Sequence, residues 1–203
     1  MIIHENDFLK PYGIVIRGVI EVGAHYAEEY PGLVNGGVEN FIFFEPVKSS
    51  YVKMRDLLPR TKNIKVFNMA LGNYSGMVTM YTETVHQGKS NSILKPFLHK
   101  MEYPDIVFDD YESVLIDKLD NIKFNRSLYN MLQTDTQGYD LEVLKGATRT
   151  LKKMDFIKAE VYRKELYEGA AFVEEIDAFL TEFERIYTYW MGAWGDAYYV
   201  RKK

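Results

Sequence analysis

Five apolar runs in this chain each end on or near a carboxylate, a glycine or both. The first, Gly18-Val19-Ile20, gives way to Glu21-Val22-Gly23-Ala24-His25, and the second, Asn40-Phe41-Ile42-Phe43-Phe44, stops at Glu45-Pro46. The third ends at Gly72, the fourth at Asp135-Thr136-Gln137-Gly138, and the fifth carries Glu160 near its end. Apolar, β-branched and aromatic runs of this kind read as strands buried on both faces. In an open α/β sheet the carboxyl ends of such strands are where ligands bind.

The spacing narrows the ligand. Glu45 lies 22 residues beyond Gly23, which suits a carboxylate taking two ribose hydroxyls while the glycine lets backbone approach the ligand. After Gly23 come Ala24, His25, Tyr26, Ala27 and Glu28, with no second or third glycine, and no G-x-x-x-x-G-K-[ST] exists anywhere in the chain. Phosphate prefers bare backbone N–H groups at a helix start, and Glu21 and Glu28 would repel it. A nucleoside that carries a cation and no phosphate fits better, and S-adenosylmethionine is such a ligand.

The elements that must hold these residues follow from periodicity. Strands are predicted over 13–22, 40–44, 64–71, 129–134 and 156–161, with helices over 25–33, 49–58, 139–153 and 172–183. Pro31 makes the first helix short or broken. Alternating strands and helices imply a parallel sheet with helical crossovers. Residues 77–81 alternate like an added antiparallel strand, 113–116 resume strand character, and 117–121 read as a turn or short helix. Residues 185–190 and 197–201 flank Gly192-Ala193-Trp194-Gly195-Asp196 as a terminal hairpin. Residues 84–112 are irregular, with Gly88, Pro96 and Pro104, and a long irregular segment in a compact domain reads as a substrate loop or lid.

Composition sets outer bounds. With 203 residues the chain is expected to be one domain, 1–203. A net charge of -4 gives no bulk attraction to nucleic acid. The absence of cysteine removes disulfides, thiolate metal sites and cysteine nucleophiles. No apolar run is long enough to cross a bilayer, and Met1-Ile2-Ile3-His4-Glu5-Asn6-Asp7 lacks the basic start of a signal peptide, so a cytoplasmic protein is expected. Asp109-Asp110 is the one adjacent acidic pair of the irregular segment and reads as a solvated loop, so no metal is expected.

Several motifs, in order, resemble the FkbM-type class I S-adenosylmethionine-dependent methyltransferases. Glu21-Val22-Gly23-Ala24 is similar to the family's first cofactor motif, Phe44-Glu45-Pro46 to its ribose-binding strand end, and Ala70-Leu71-Gly72 to the turn after the third strand. Gly88-Lys89-Ser90-Asn91-Ser92-Ile93-Leu94 resembles its Ser-rich loop. Leu132 to Ala147, with Asp135-Thr136-Gln137-Gly138-Tyr139-Asp140, resembles its most specific signature, and Lys158-Ala159-Glu160-Val161 with Leu166-Tyr167-Glu168-Gly169 the strand and loop that follow. The resemblance implies a Rossmann-like α/β fold: a mostly parallel seven-stranded sheet, helices on both faces and a C-terminal antiparallel hairpin. It implies S-adenosylmethionine as cofactor, with Glu21, Gly23, Ala24, His25, Glu45, Pro46, Ala70, Leu71, Gly72, Ser92 and Asp135 around it. It also implies O-methylation of a small hydroxylated acceptor, commonly a sugar or a polyketide-type metabolite, with a sugar or glycan favoured; the acidic charge and the lack of a spanning apolar run leave neither nucleic acid nor membrane as an expected partner. Two departures stand out: His25-Tyr26-Ala27 replaces the usual small polar residue and glycine, and Gln137 stands where many members carry Glu.

A sulfonium already activates its methyl group, so the protein must align an acceptor and take a proton. Asp135 is the first candidate for base or positioning group, with His25, His86 and Glu160 as alternatives. Aromatic residues such as Tyr103, Phe108, Tyr111, Tyr162, Tyr167, Trp190 and Trp194 are mostly expected in the core, although some could line a sugar-sized pocket. Two other classes stay open on sequence: a different Rossmann-like enzyme such as an NAD-dependent oxidoreductase, and a degenerate methyltransferase fold used for binding. RNA methylation is weakened by the acidic charge.

Overall fold

The computed structural model describes residues 9–203, so the Met1–Asp7 lead-in lies outside the described residues. In chain order the strands are β1 (Gly18–Val22), β2 (Asn40–Phe44), β3 (Ile64–Phe67), β4 (Ala70–Leu71), β5 (Gly76–Glu83), β6 (Phe108–Asp117), β7 (Met131–Thr134), β8 (Phe156–Tyr162), β9 (Phe183–Met191) and β10 (Trp194–Arg201). The α-helices are α1 (Tyr30–Asn35), α2 (Lys48–Leu57), α3 (His99–Glu102), α4 (Asp140–Lys145), α5 (Thr148–Leu151) and α6 (Val173–Phe179).

Every residue of β1 is buried, which puts this strand in the interior of the sheet. It pairs in parallel with β2 on one side and β7 on the other. The main sheet runs β3-β2-β1-β7-β8-β10-β9, with β10 antiparallel to both β8 and β9. This is the seven-stranded class I arrangement, its strand order reversing between β1 and β7. One face buries Ile20, Val22 and Leu132 against Leu141, Leu144 and Ile176 of α4 and α6. The other buries Val19, Met131 and Phe156 with Phe41, Phe43, Leu33 and Met54.

Several element boundaries differ from the sequence reading, each for a local reason. The first strand begins at Gly18 rather than residue 13. The first helix begins only at Tyr30, because His25 and Ala27 take φ values of 46° and 58°, which no right-handed helix accommodates. Pro31 then sits in its first turn, where a missing N–H costs nothing. The predicted strand over 64–71 splits: β3 stays in the main sheet, whereas β4 pairs with β6 in a separate three-stranded sheet, β4-β6-β5. Within the irregular segment, α3 forms and β6 starts at Phe108, opposite Glu83 of β5.

The predicted helix over 139–153 is two helices. A Cβ on Gly146 would lie 1.8 Å from the Gly72 carbonyl oxygen, so the chain bends where these backbones meet. Asp120 then caps the second piece: its Oδ2 accepts the Arg149 N–H at 2.7 Å and its Oδ1 the Thr150 N–H at 2.9 Å. Burial opposes ionisation of Asp120, but these bonds win and hold its carboxyl below the usual range. Asp120→Ala is expected to lower stability by roughly 0.5–2 kcal/mol at neutral pH. A carboxyl depressed on folding stabilises above its unfolded pKa of about 3.9 and loses that contribution as pH falls through the folded value. The gap in melting temperature between variant and parent should therefore narrow on acidification; equal melting at pH 7 would contradict the cap.

Candidate active site

Side chains alternate between faces along a strand, and on three neighbouring strands one face turns polar toward the C-terminal end. Two residues beyond Val19, Met131 and Phe156 stand Glu21, Gln133 and Lys158, cross-strand neighbours in register. Farther along the same face, Glu160 stands opposite Asp196, and Tyr162 opposite Trp194. Glu21, Gln133, Asp135, Tyr162 and Trp194 form one wall of a cavity of about 320 Å³. The turns after β1 and β2, the stretch 69–71 and the irregular segment close it from the other sides. The cavity thus lies at the C-terminal edge of the parallel strands, over the place where strand order reverses.

Gly23 holds this crossing together. Its φ is 80°, and a Cβ there would lie 1.9 Å from the Asp135 carbonyl oxygen. The N–H groups of Gly23 and Ala24 both donate to the Phe44 carbonyl at 3.0 Å. Glycine is therefore needed here because the turns after β1 and β7 touch, a packing reason beside its expected role of letting backbone approach a ligand.

Glu45 joins two of the turns. Its Oε2 accepts the His25 N–H at 2.9 Å and its Oε1 the Val47 N–H at 2.8 Å. Burial pushes its carboxyl up to about 7 despite these bonds. Each oxygen keeps one lone pair for a ligand hydroxyl. His25 in turn sets Nδ1 2.8 Å from the Glu28 carboxylate and Nε2 2.8 Å from the Gln87 carbonyl. Two acceptors suit an imidazolium: burial disfavours the charge, yet the bonds to Glu28 and Gln87 prevail and raise the His25 pKa. The ring ties the first turn to the irregular segment.

The end of β7 gathers carboxyl groups. Asp135 is open to the cavity yet walled in by protein, and that desolvation, with Asp140 beside it, pushes its carboxyl up to about 7. Asp140, fully enclosed near Thr134 and Thr136, is pushed up to about 6 by burial. Glu160 is buried, its pKa raised by burial and by Asp135. Glu21 is likewise raised by burial and by Glu29, and its Oε2 has no hydrogen-bond partner, nor has Gln133 Oε1. Such a cleft favours a cation, which would let its acids ionise.

Comparison with known proteins falls on these same residues. The model of the methyltransferase FkbM domain matches residues 21–189. This chain belongs to the FkbM methyltransferase family. A curated relative, 2-O-methyltransferase NoeI of Sinorhizobium fredii, is 28% identical over 160 residues, covering 75% of this chain and 66% of its own length, just under two thirds. Among solved structures, magnesium protoporphyrin IX methyltransferase (ChlM) of Synechocystis with bound S-adenosylmethionine aligns over 97% of this chain and 76% of its own, at TM-score 0.52 and 8% identity. A ribosomal protein L11 methylase of Lactobacillus delbrueckii aligns over 98% and 77%, at TM-score 0.53 and 8% identity. At these identities the structures speak to the fold, which is that of class I methyltransferases.

As an FkbM methyltransferase the chain uses S-adenosylmethionine, and the cleft passes a physical test for that group. Its buried, unpartnered Glu21 oxygen and its carboxylate lining suit a ligand with an amine and a sulfonium. Of the residues expected around the cofactor, Glu21, Gly23, Ala24, His25, Glu45, Pro46, Ala70, Leu71 and Asp135 all line the one cavity. Two do not. Ser92 is fully buried, donating its hydroxyl to the Gln137 carbonyl at 2.7 Å and accepting the Leu94 N–H at 3.0 Å. Gly72 donates its N–H to the Asp117 carbonyl and packs on Gly146. Of the candidate bases, Asp135, His25 and His86 line the cavity and Glu160 does not; both ring nitrogens of His25 are taken up by Glu28 and Gln87.

His99 is a site residue that sequence reasoning missed. It is 3% exposed and on the cavity wall, with Nδ1 unpartnered. Its ring packs near Tyr103, Phe108 and Tyr167, and burial pushes its pKa down to about 4. A lone histidine in an irregular segment carries no periodic signal. Nearby, the Trp194 indole N–H donates to the Tyr103 hydroxyl at 3.0 Å, giving this end an aromatic lining. Among the described residues no group of His, Asp and Glu is arranged to hold a metal, and no helix is long and apolar enough to cross a membrane.

Proposed function

We propose that this methyltransferase, with 1–203 as one catalytic domain, O-methylates a small hydroxylated acceptor and that the acceptor is a sugar or glycan. The observation that carries this reading is a single cavity lined by two unlike sets of residues. Glu21, Glu45 and Pro46, with Met69, Ala70 and Leu71, offer carboxylates and apolar surface for a nucleoside. His99, Tyr103, Tyr162 and Trp194, of which Tyr103 touches both His99 and Trp194, offer ring faces, which stack on the C–H faces of a sugar. Asp135 lines the same cavity.

When bound, S-adenosylmethionine supplies an electrophilic methyl group. Glu45 takes the ribose hydroxyls, and Glu21 faces the cationic part. The irregular segment 84–112, which contributes His86, Asn91, His99 and Tyr103 to the wall, serves as the lid that excludes water. Asp135 accepts the acceptor hydroxyl's proton at its free oxygen or holds that oxygen in line. NoeI, named a 2-O-methyltransferase, supports oxygen as the methylated atom. The carboxylate-rich cavity argues against nucleic acid, whose phosphates it would repel.

The deciding experiment is transfer of labelled methyl from S-adenosylmethionine over a panel of free and nucleotide-linked sugars. Label on a hydroxyl of at least one sugar is expected. Label found only on nitrogen or carbon acceptors, or on RNA, would replace this reading.

A further inference from the structure

Gln137 takes no part in the chemistry above, yet the fold holds it in a strained state. Its φ is 54°, in the left-handed region that a residue with a side chain rarely adopts. Every polar group of its side chain is engaged. Its Oε1 accepts the Tyr167 hydroxyl at 2.9 Å, and its Nε2 donates to Asp135 Oδ1 at 2.8 Å and to Glu160 Oε1 at 3.0 Å. The Tyr167 hydroxyl also lies 2.9 Å from the Ser90 carbonyl and shares its one proton between the two acceptors, so the acids set which way the amide points: a flipped amide would put its oxygen against an ionised Asp135.

The two acids that share this amide are not equivalent. Glu160 is 2% exposed, and its Oε2 lies 2.6 Å from the Tyr162 hydroxyl, whose oxygen can accept a proton held by Glu160. Asp135 faces the cavity, and its Oδ2 has no hydrogen-bond partner among the described residues. Acidic groups surround the pair on every side: Asp140 on α4, Asp196 on β10, and Glu21 and Glu29 at β1 and its turn. Lys158, on β8, is engaged by Asp196 at 3.6 Å and Glu29 at 3.9 Å. So many neighbouring carboxyls cannot all ionise. Two carboxyl groups in direct contact would share one proton between them, and neither would then be a free base. The Gln137 amide stands between them and gives each an N–H instead.

We propose that Gln137 is a positioning residue: its carboxamide, clamped by Tyr167, keeps Asp135 and Glu160 from sharing a proton, so that Glu160 holds it and Asp135 stays ionised with one oxygen free toward the acceptor. This rests on Asp135 as the base of the proposed reaction.

The test is a carboxyl-carbon NMR titration of Asp135 with S-adenosylhomocysteine bound, in the parent, Gln137→Glu and Glu160→Gln, alongside thermal melts and pH–rate profiles. Gln137→Glu replaces the shared donor with a third acid and should raise the Asp135 midpoint by about one unit or more. Glu160→Gln removes the competing acid and should lower it. Opposite shifts support the proposal. Unchanged midpoints with altered melting overturn it, leaving Gln137 as packing alone. If Gln137→Glu does not fold, Glu160→Gln decides by itself, and an Asp135 midpoint that stays put is the overturning result. Midpoints that move while the acid limb of the rate profile does not would keep the proton arrangement and remove Asp135 as base.

Discussion

Asp135→Asn is expected to fold, to bind S-adenosylmethionine, and to transfer methyl groups about 10²–10⁴-fold more slowly than the parent, the range typical of a lost general base. The substitution keeps size and one acceptor oxygen for the Gln137 amide, 2.8 Å away, while removing proton acceptance. A rival role for Asp135, capping the helix that follows, has no support in the geometry. Helix α4 starts at Asp140, its N-cap Tyr139 makes no side-chain cap bond, and Asp135's hydrogen bond is to Gln137. The loss should therefore appear in the rate and not in melting. With its pKa pushed up to about 7 by enclosure, Asp135 is poised near the pH at which a base is most useful. Single-turnover transfer, with cofactor affinity measured by calorimetry, separates the possibilities. Near-normal turnover would pass the proton to His86, which also lines the cavity.

The sheet was legible because burial on both faces leaves its mark residue by residue. Asn40-Phe41-Ile42-Phe43-Phe44 and the Asp135 signature need no partner to be read as strand ends, and the structure brings Glu21, Glu45 and Asp135 to one cavity. What failed to show depends on contacts between distant segments. Gly146 ends a helix because the Gly72 backbone lies against it, 74 residues away in the chain. Asp120 caps a helix across a sequence separation of 29 to 30 residues. Ser92 resembles a ligand-binding serine, but its hydroxyl holds the Gln137 backbone. His99 has no periodicity to mark it, and only the packing of α3 against Tyr167 and Phe108 brings it to the wall. Gln137 was visible as a departure from the family pattern; that its amide bridges two acids is a three-dimensional fact.

Glu45→Ala is expected to weaken S-adenosylmethionine binding by about 10²–10⁴-fold. Two hydrogen bonds from ribose hydroxyls to a carboxylate are each worth roughly 1.5–3 kcal/mol, and every 1.4 kcal/mol is about tenfold in affinity. The substitution also releases the N–H groups of His25 and Val47, which Glu45 now holds at 2.9 and 2.8 Å, so both turns beside the proposed nucleoside site should loosen. Glu45→Gln separates the contributions: one acceptor oxygen survives, and affinity should fall between parent and alanine variant. The pH dependence gives an independent check. Glu45's pKa is raised by burial to about 7, so folding favours its protonated form. Its contribution to the stability of the free protein is complete below the unfolded pKa of about 4.3 and is lost as pH rises toward 7. Ribose hydroxyls donate, and so prefer the ionised form; cofactor affinity should rise with pH up to about 7 and then level. In Glu45→Ala that part of the slope should vanish while the part due to Asp135 remains. Calorimetry at pH 6 and pH 8 reads both effects, and an alanine variant with parental affinity at pH 8 would remove Glu45 from the cofactor site.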